Sequence, residues 1–319
     1  MTFRSLIQSG AVSLLAVASL SAQRAAAPAA TPKAGAIPRT ADGHPDLTGI
    51  WSSASRTPFE RPANVAGKAT LSDAEALEWE AREALRWKEG ATIDGGRAVS
   101  IEGGAYNVLF YDNGSKLARI DGQNRTSMVV DPPDGHAPPV LPGARNRARR
   151  AEIVPGEYKT LSNDTRCLVG NTPAVPLTPA LYNNNYQIVQ SPDSILIMLE
   201  MIHDARIVHM DTTHQPPSVR QWFGDSIGHW EGDTLVVETT NFTDKTHYRG
   251  SSMDLKVTER FKRVSDKTIE YRATMEDAST WAKPWTLEEA FSSVPGPLFE
   301  YACHEGNYAM MGILGSTVK

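Results

Sequence analysis

From Tyr186 onward the chain is a succession of short apolar segments broken by turn chemistry, and that rhythm restricts the folds open to it. The expected strands are Tyr186–Gln190, Ile195–Ile202, Ala205–Met210, Asp225–Trp230, Thr234–Phe242, Leu255–Val264, Thr268–Met275, Thr286–Phe291 and Leu298–Cys303. Ser191-Pro192-Asp193, Glu231-Gly232-Asp233, Ser265-Asp266-Lys267 and Pro295-Gly296-Pro297 separate them, all built from turn-forming residues. Alternation is clear in two of these strands. Leu255, Val257 and Phe261 share one face, opposite Lys256, Thr258, Arg260 and Lys262; Ile269, Tyr271, Ala273 and Met275 oppose Glu270, Arg272, Thr274 and Glu276. A meander of such strands carries two unpaired edges, which a barrel removes and a sandwich shelters. We therefore expect a mainly β fold, an antiparallel meander closing into a barrel over 186–319. An N-terminal extension over 40–185 should pack on it. No parallel βαβ rhythm points to a dinucleotide fold.

The N-terminus reads as an export signal. Arg4 precedes an apolar run, Ala11 to Leu20, followed by small residues at Ser21 and Ala22. The run is about half of what a bilayer requires, and no other segment reaches ~18 apolar residues. Residues 1–22 are thus expected to be a signal peptide and 23–39 a flexible Ala/Pro-rich lead-in. The mature protein would be secreted or periplasmic, with no membrane partner. Lys plus Arg number 32 against 37 Asp plus Glu, without the excess of basic charge that a duplex-binding surface wants, so no nucleic-acid partner is expected. Export also bears on Cys167 and Cys303: two lone cysteines in an oxidising compartment are expected to pair.

Within the extension, Ser72 and Glu75 form a capping box at the start of a helix that ends before Gly90. Leu77, Ala81, Ala84 and Leu85 recur on one face and call for a covering partner. Asn113-Gly114 between Tyr106–Asp112 and Lys116–Ile120 reads as a hairpin turn. Arg145 to Arg150 holds four arginines, read either as a solvated helical face or as an anion-binding patch.

Candidate chemistry gathers after the strand Ile195–Leu199, apolar on both faces. Glu200, His203, Asp204 and Arg206 then follow within seven positions. Strand periodicity would place Glu200, Asp204 and Arg206 on one face, with His203 on the other. Buried charges must be paired, so the structural reading is an Asp204–Arg206 or Glu200–Arg206 pair; the functional reading is a perturbed interior cluster. Glu259 sits on the apolar face of its own strand, and is expected either to pair with an inward arginine or to be raised in pKa. At the far end His304 and Glu305 follow Cys303, and the disulfide would hold His304 beside Tyr182 and Tyr186, with Tyr308 nearby. No metal-ligand spacing is diagnostic, although His203, His304, Glu200 and Glu305 could contribute; no cofactor is expected.

The stretches Tyr182-Asn183-Asn184-Asn185-Tyr186-Gln187-Ile188, Glu200 to Arg206, Gly228 to Val237 and Tyr301 to Tyr308 resemble a family of secreted bacterial proteins whose motifs carry no transferable mechanism. Pro45 to Trp51 and Lys283 to Thr286 extend the resemblance over most of the mature chain. The hairpin around Gly232 is also similar to hairpins in lipocalin-like barrels, a likeness of fold only. The expected function is a secreted enzyme, a lyase or hydrolase moving protons on a small sugar or plant-derived aromatic inside the barrel. His203, Asp204, Arg206 and His304 would be catalytic, with Glu200, Tyr182, Tyr186, Glu259, Glu305 and Tyr308 around the ligand. The competing expectation is a non-catalytic carrier of a small apolar or aromatic ligand.

Overall fold

The computed structural model describes residues 37–88, 112, 114–148, 154, 157–170 and 174–315. The export signal, most of the lead-in, Tyr106–Tyr111 and Asn113 of the expected hairpin, Arg149 and Arg150 lie outside them. Among the described residues the main sheet is a closed barrel of nine strands. In barrel order these are β1 (Gly49–Ser52), β6 (Asn185–Gln190), β7 (Ser194–Leu199), β8 (Ala205–Met210), β9 (Asp225–Glu231), β10 (Thr234–Thr240), β11 (Lys256–Arg263), β12 (Thr268–Glu276) and β13 (Trp285–Ser293). Closure is the β1–β13 pairing, Trp51 opposite Ser293. A further strand, β5 (Val129–Asp131), adds to β13. A small sheet of β2 (Thr70–Leu71), β3 (Arg119–Ile120) and β4 (Gln123–Arg125) stands apart.

The mainly β barrel is as expected, with four differences. The meander is not wholly antiparallel: β8 and β9 pair in parallel, Val208 opposite Ser226, because the connection 211–224 carries the chain back along the sheet before β9 begins. The closing strand β1 comes from the segment read as an extension, so the barrel does not start at Tyr186. No strand forms at Leu298–Cys303; both neighbours of β13 are already supplied by β12 and by β1 and β5, and Pro297 brings no donor. Instead Cys303–Gly306 begins a short helix, α3, followed by α4 (Ala309–Gly315); α2 is Arg145–Ala148. Finally, the helix α1 (Asp73–Lys88) has its capping box, with Ser72 N–H donating to Glu75 Oε2 at 2.9 Å. Its buried face is Ala76 and Trp79 against Leu71 and Leu117, while Leu77 and Leu85 are 66% and 57% exposed. One indole buries more apolar area than the leucine stripe offered.

Strand alternation decides what fills the barrel. β8 reads exposed–buried throughout, turning Arg206, Val208 and Met210 inward. β11 likewise turns Val257, Glu259 and Phe261 inward. Tyr186, Tyr271, Phe261 and Phe291 pack around one another, with ring centroids 4.9–6.5 Å apart. The interior is therefore a packed aromatic core.

The two ends of the barrel differ. One is closed by tight turns at 191–193, 232–233 and 264–267, where Gly232 adopts a φ of 59° that its turn demands. The N-terminal segment covers this end: His44 stacks on Trp230 at 4.7 Å, and Arg39 pairs with Asp233 at 2.6 Å. The long connections between strands gather at the other end.

Candidate functional site: a cleft over the open end of the barrel

The residues expected to carry chemistry divide between the interior and the open end. Inside, Arg206 forms a bidentate pair with Glu259, Nη1 to Oε2 at 2.6 Å and Nη2 to Oε1 at 2.8 Å. Tyr271 donates to the same carboxylate at 2.7 Å, and Leu177 N–H donates to the Tyr271 oxygen at 2.8 Å. Ser226 and Thr239 share a hydrogen bond beside the guanidinium. The expectation that Glu259 meets an inward arginine is met; the expected partners of Arg206, Asp204 and Glu200, are not the ones it uses. Arg206 and Glu259 are both buried and pair with each other through two hydrogen bonds, which gives them a structural role in the barrel core.

A second interior carboxyl has no cation beside it among the described residues. Glu289 is fully buried; its Oε1 accepts the Ala290 N–H at 2.8 Å, and the Ser55 hydroxyl also bonds to the carboxyl. Burial outweighs both and pushes its pKa up to about 8 from an ordinary 4.5. Between those values the folded protein keeps a proton that the unfolded chain has released, so the contribution of Glu289 to stability is fully present below pH 4.5 and is lost as pH rises to 8. Urea unfolding at pH 5 and pH 9 should show roughly 3–5 kcal/mol more loss in the parent than in Glu289→Gln. An equal loss in both would remove Glu289 as the cause.

At the open end the chain does something that periodicity does not foretell. β7 stops at Leu199, and Ile202 and His203 take φ values of 57° and 47° that reverse the chain into β8. The period-two placement of Glu200 to Arg206 on two strand faces is accordingly broken. Glu200 accepts from Asn185 Nδ2 at 2.8 Å, and Asp204 accepts from Gly170 N–H at 2.9 Å. Partial burial raises the Asp204 pKa to about 6. Both acids thereby brace the segments around them, and the His203 side chain is exposed.

Cys167 and Cys303 are joined, as expected, with Cα atoms 5.7 Å apart. Asn307 Nδ2 donates to Thr165 O at 2.9 Å, so α3 is clasped to the loop 162–168. The clasp does not carry His304 to Tyr186. His304 and Glu305 are exposed, Tyr308 is 80% exposed, and Tyr186 is in the barrel core. His203, Arg206 and His304 do not converge, nor do His203, His304, Glu200 and Glu305. Among the described residues no group of three or more His, Cys, Asp or Glu is close enough to hold a metal ion.

What the long connections do build is a cleft of about 1400 Å³. Its floor is the segment 174–178, where Ala174, Val175 and Leu177 are buried in the mouth of the barrel and anchored through Leu177 to Tyr271. Its walls come from 158–170, the Pro179–Tyr182 approach to β6, Trp222 and Phe223 before β9, and 242–250 after β10. Gly224 lets the Trp222–Phe223 wall lie against β10: its φ is 73°, and a Cβ there would sit 2.5 Å from Thr240 O. Of the sequence-predicted ligand residues only Tyr182 lines this cleft.

Three lining residues escaped the sequence reading. His247 Nδ1 lies 2.7 Å from Ser251 O, and a carbonyl can only accept, so Nδ1 carries the proton and Nε2 the lone pair of the neutral ring. Tyr248 follows, its hydroxyl buried with its pKa pushed upward by that burial, and then Arg249, whose guanidinium lies 4.1 Å over Phe59. A base, a phenol and a cation are the residue types expected of a proton-transfer site. His247-Tyr248-Arg249 lacks strand periodicity or motif spacing, so nothing local marks it. No protein-family model matches the chain and no curated protein does, so the geometry of the barrel end carries the functional argument.

Proposed function

We propose that this protein binds a small organic molecule with an aromatic or flat apolar body in the cleft at the open end of its barrel. One observation carries the reading: the long connections enclose a volume of about 1400 Å³ over a hydrophobic floor, walled by Tyr158, Trp222, Phe223, Phe242 and Tyr248. Concave, mostly preformed, aromatic-lined sites of this kind are how proteins hold drug-sized ligands. Export to an oxidising compartment belongs to the same proposal, supported by the Cys167–Cys303 bond and by the N-terminal residue pattern. Among the described residues no helix is long and apolar enough to cross a membrane. The family resemblance and the lipocalin-like character stay part of the proposal, consistent with a carrier.

The enzymatic reading, a lyase or hydrolase, keeps one specific support. His247 has a fixed tautomer with Nε2 as its basic atom, and it lines the same cleft as Tyr248 and Arg249.

A thermal-shift panel of aromatic acids, phenols and sugars tests the binding reading. A compound present at ~100 times its Kd should raise Tm by about 5–10 °C. Tyr158→Ala and Trp222→Ala should each weaken that compound about tenfold while folding normally. Unchanged affinity in both variants would place the ligand elsewhere. Turnover of any binder that is lost in His247→Gln, with binding retained, would favour the enzyme.

A further inference from the structure

The charge of the cleft narrows the ligand class. The whole chain has a net charge of −5, yet the lining holds Arg147, Lys159, Arg166, Lys245 and Arg249 against only Asp164 and Asp244. Several surface cations elsewhere have carboxylate partners, among them Arg39 with Asp233, Arg119 with Asp73 and Lys256 with Glu238. In the cleft only Lys245 does, through Asp244 at 3.2 Å. Arg147, Lys159, Arg166 and Arg249 pair with no carboxylate among the described residues. Arg147 spends its donors on neutral acceptors, Gly250 O, Ser279 and Thr280. The others are laid over aromatic faces: Arg166 and Lys159 over Tyr158 at 5.6 and 5.9 Å, Arg249 over Phe59 at 4.1 Å.

A ring face steadies a cation without neutralising it, and leaves the in-plane N–H donors of a guanidinium free. Gathering such groups in one concavity costs mutual repulsion, which low-dielectric walls intensify. Those walls also focus the resulting positive field into the cleft, where a carboxylate would relieve it and accept bidentate hydrogen bonds.

We propose that the ligand of the cleft is an organic anion, an aromatic or flat apolar carboxylate, whose charged group is held by Arg166 and Arg249 with Lys159 and Arg147 adding to the field. This rests on the cleft being a small-molecule site, and the experiment separates the two claims.

The probes are naphthoate and its neutral counterpart naphthylmethanol, titrated calorimetrically into the full mature chain at low and high ionic strength. Naphthoate should bind at least tenfold more tightly than the alcohol, and added salt should shrink that ratio. In the double variant R166Q/R249Q the preference of naphthoate over the alcohol should fall to about twofold. Equal affinity of the parent for acid and alcohol overturns the anion proposal and leaves the cleft reading standing. A preference that survives in R166Q/R249Q overturns the assignment to these two arginines. Should neither probe bind the parent, both the anion proposal and an aromatic-ligand cleft fail together. The parent titrations and their salt dependence decide the anion claim even if the double variant does not fold.

Discussion

Reducing the Cys167–Cys303 bond, or replacing both residues by serine, is expected to lower stability by about 5 kcal/mol. The bond closes a loop with a sequence separation of 136, and a loop of that length releases the most denatured-state entropy when opened. The effect should reach the cleft as well. Loop 162–168 forms part of its wall and is fixed from behind by α3, so the reduced protein should bind cleft ligands more weakly even where it remains folded. Mass spectrometry of the unreduced mature protein, alkylated under native conditions, checks the bond itself. Two reactive thiols in that sample would contradict it.

Arg206→Ala is the second large effect. It strips from Glu259 its one cation partner among the described residues, inside a packed core, and removing one partner of a buried pair costs roughly 3–5 kcal/mol. For a chain of this size that is a fall in Tm of about 10 °C. The cost lies in the orphaned carboxylate, so Arg206→Met combined with Glu259→Leu should recover most of it. A loss within ~1 kcal/mol of the parent for Arg206→Ala would show that the pair is solvated in solution. Arg206 would then return as a candidate for chemistry.

These two sites also show how much the sequence disclosed. Alternation along β11 identified Glu259 as an inward carboxylate, to be either paired with an inward arginine or raised in pKa, because side-chain direction in a strand is a local property. Which arginine was not local: Arg206 sits two intervening strands away across the barrel, and no periodicity links it to Glu259. The disulfide followed from the count of cysteines and the export pattern. The reversal at Ile202 and His203 was hidden, since a left-handed turn is normally signalled by glycine or asparagine and β-branched isoleucine is among the residues least suited to it. That turn is why Glu200, His203 and Asp204 brace loops in place of forming an interior cluster with Arg206.

The cleft was illegible for a related reason. It belongs to no element: its walls are connections between strands, brought together because β1 closes the barrel and β8–β9 run in parallel, which sends the long loops to one end. Gly49–Ser52 is too short to announce itself as the closing strand, and residues 211–224 carry no mark of a return crossing. Once the barrel is closed, Tyr158, Trp222 and His247 become neighbours although no spacing rule connects them.

The central claim is that function resides in this cleft and not among the ionisable residues near the C-terminus. Hydrogen–deuterium exchange with and without the tightest-binding compound of the ligand panel tests it most directly. Protection should rise in 158–170, 174–182, 222–223 and 242–250 and stay unchanged in 299–310. Protection centred on 299–310, around His304, with the cleft segments unchanged, would contradict the account.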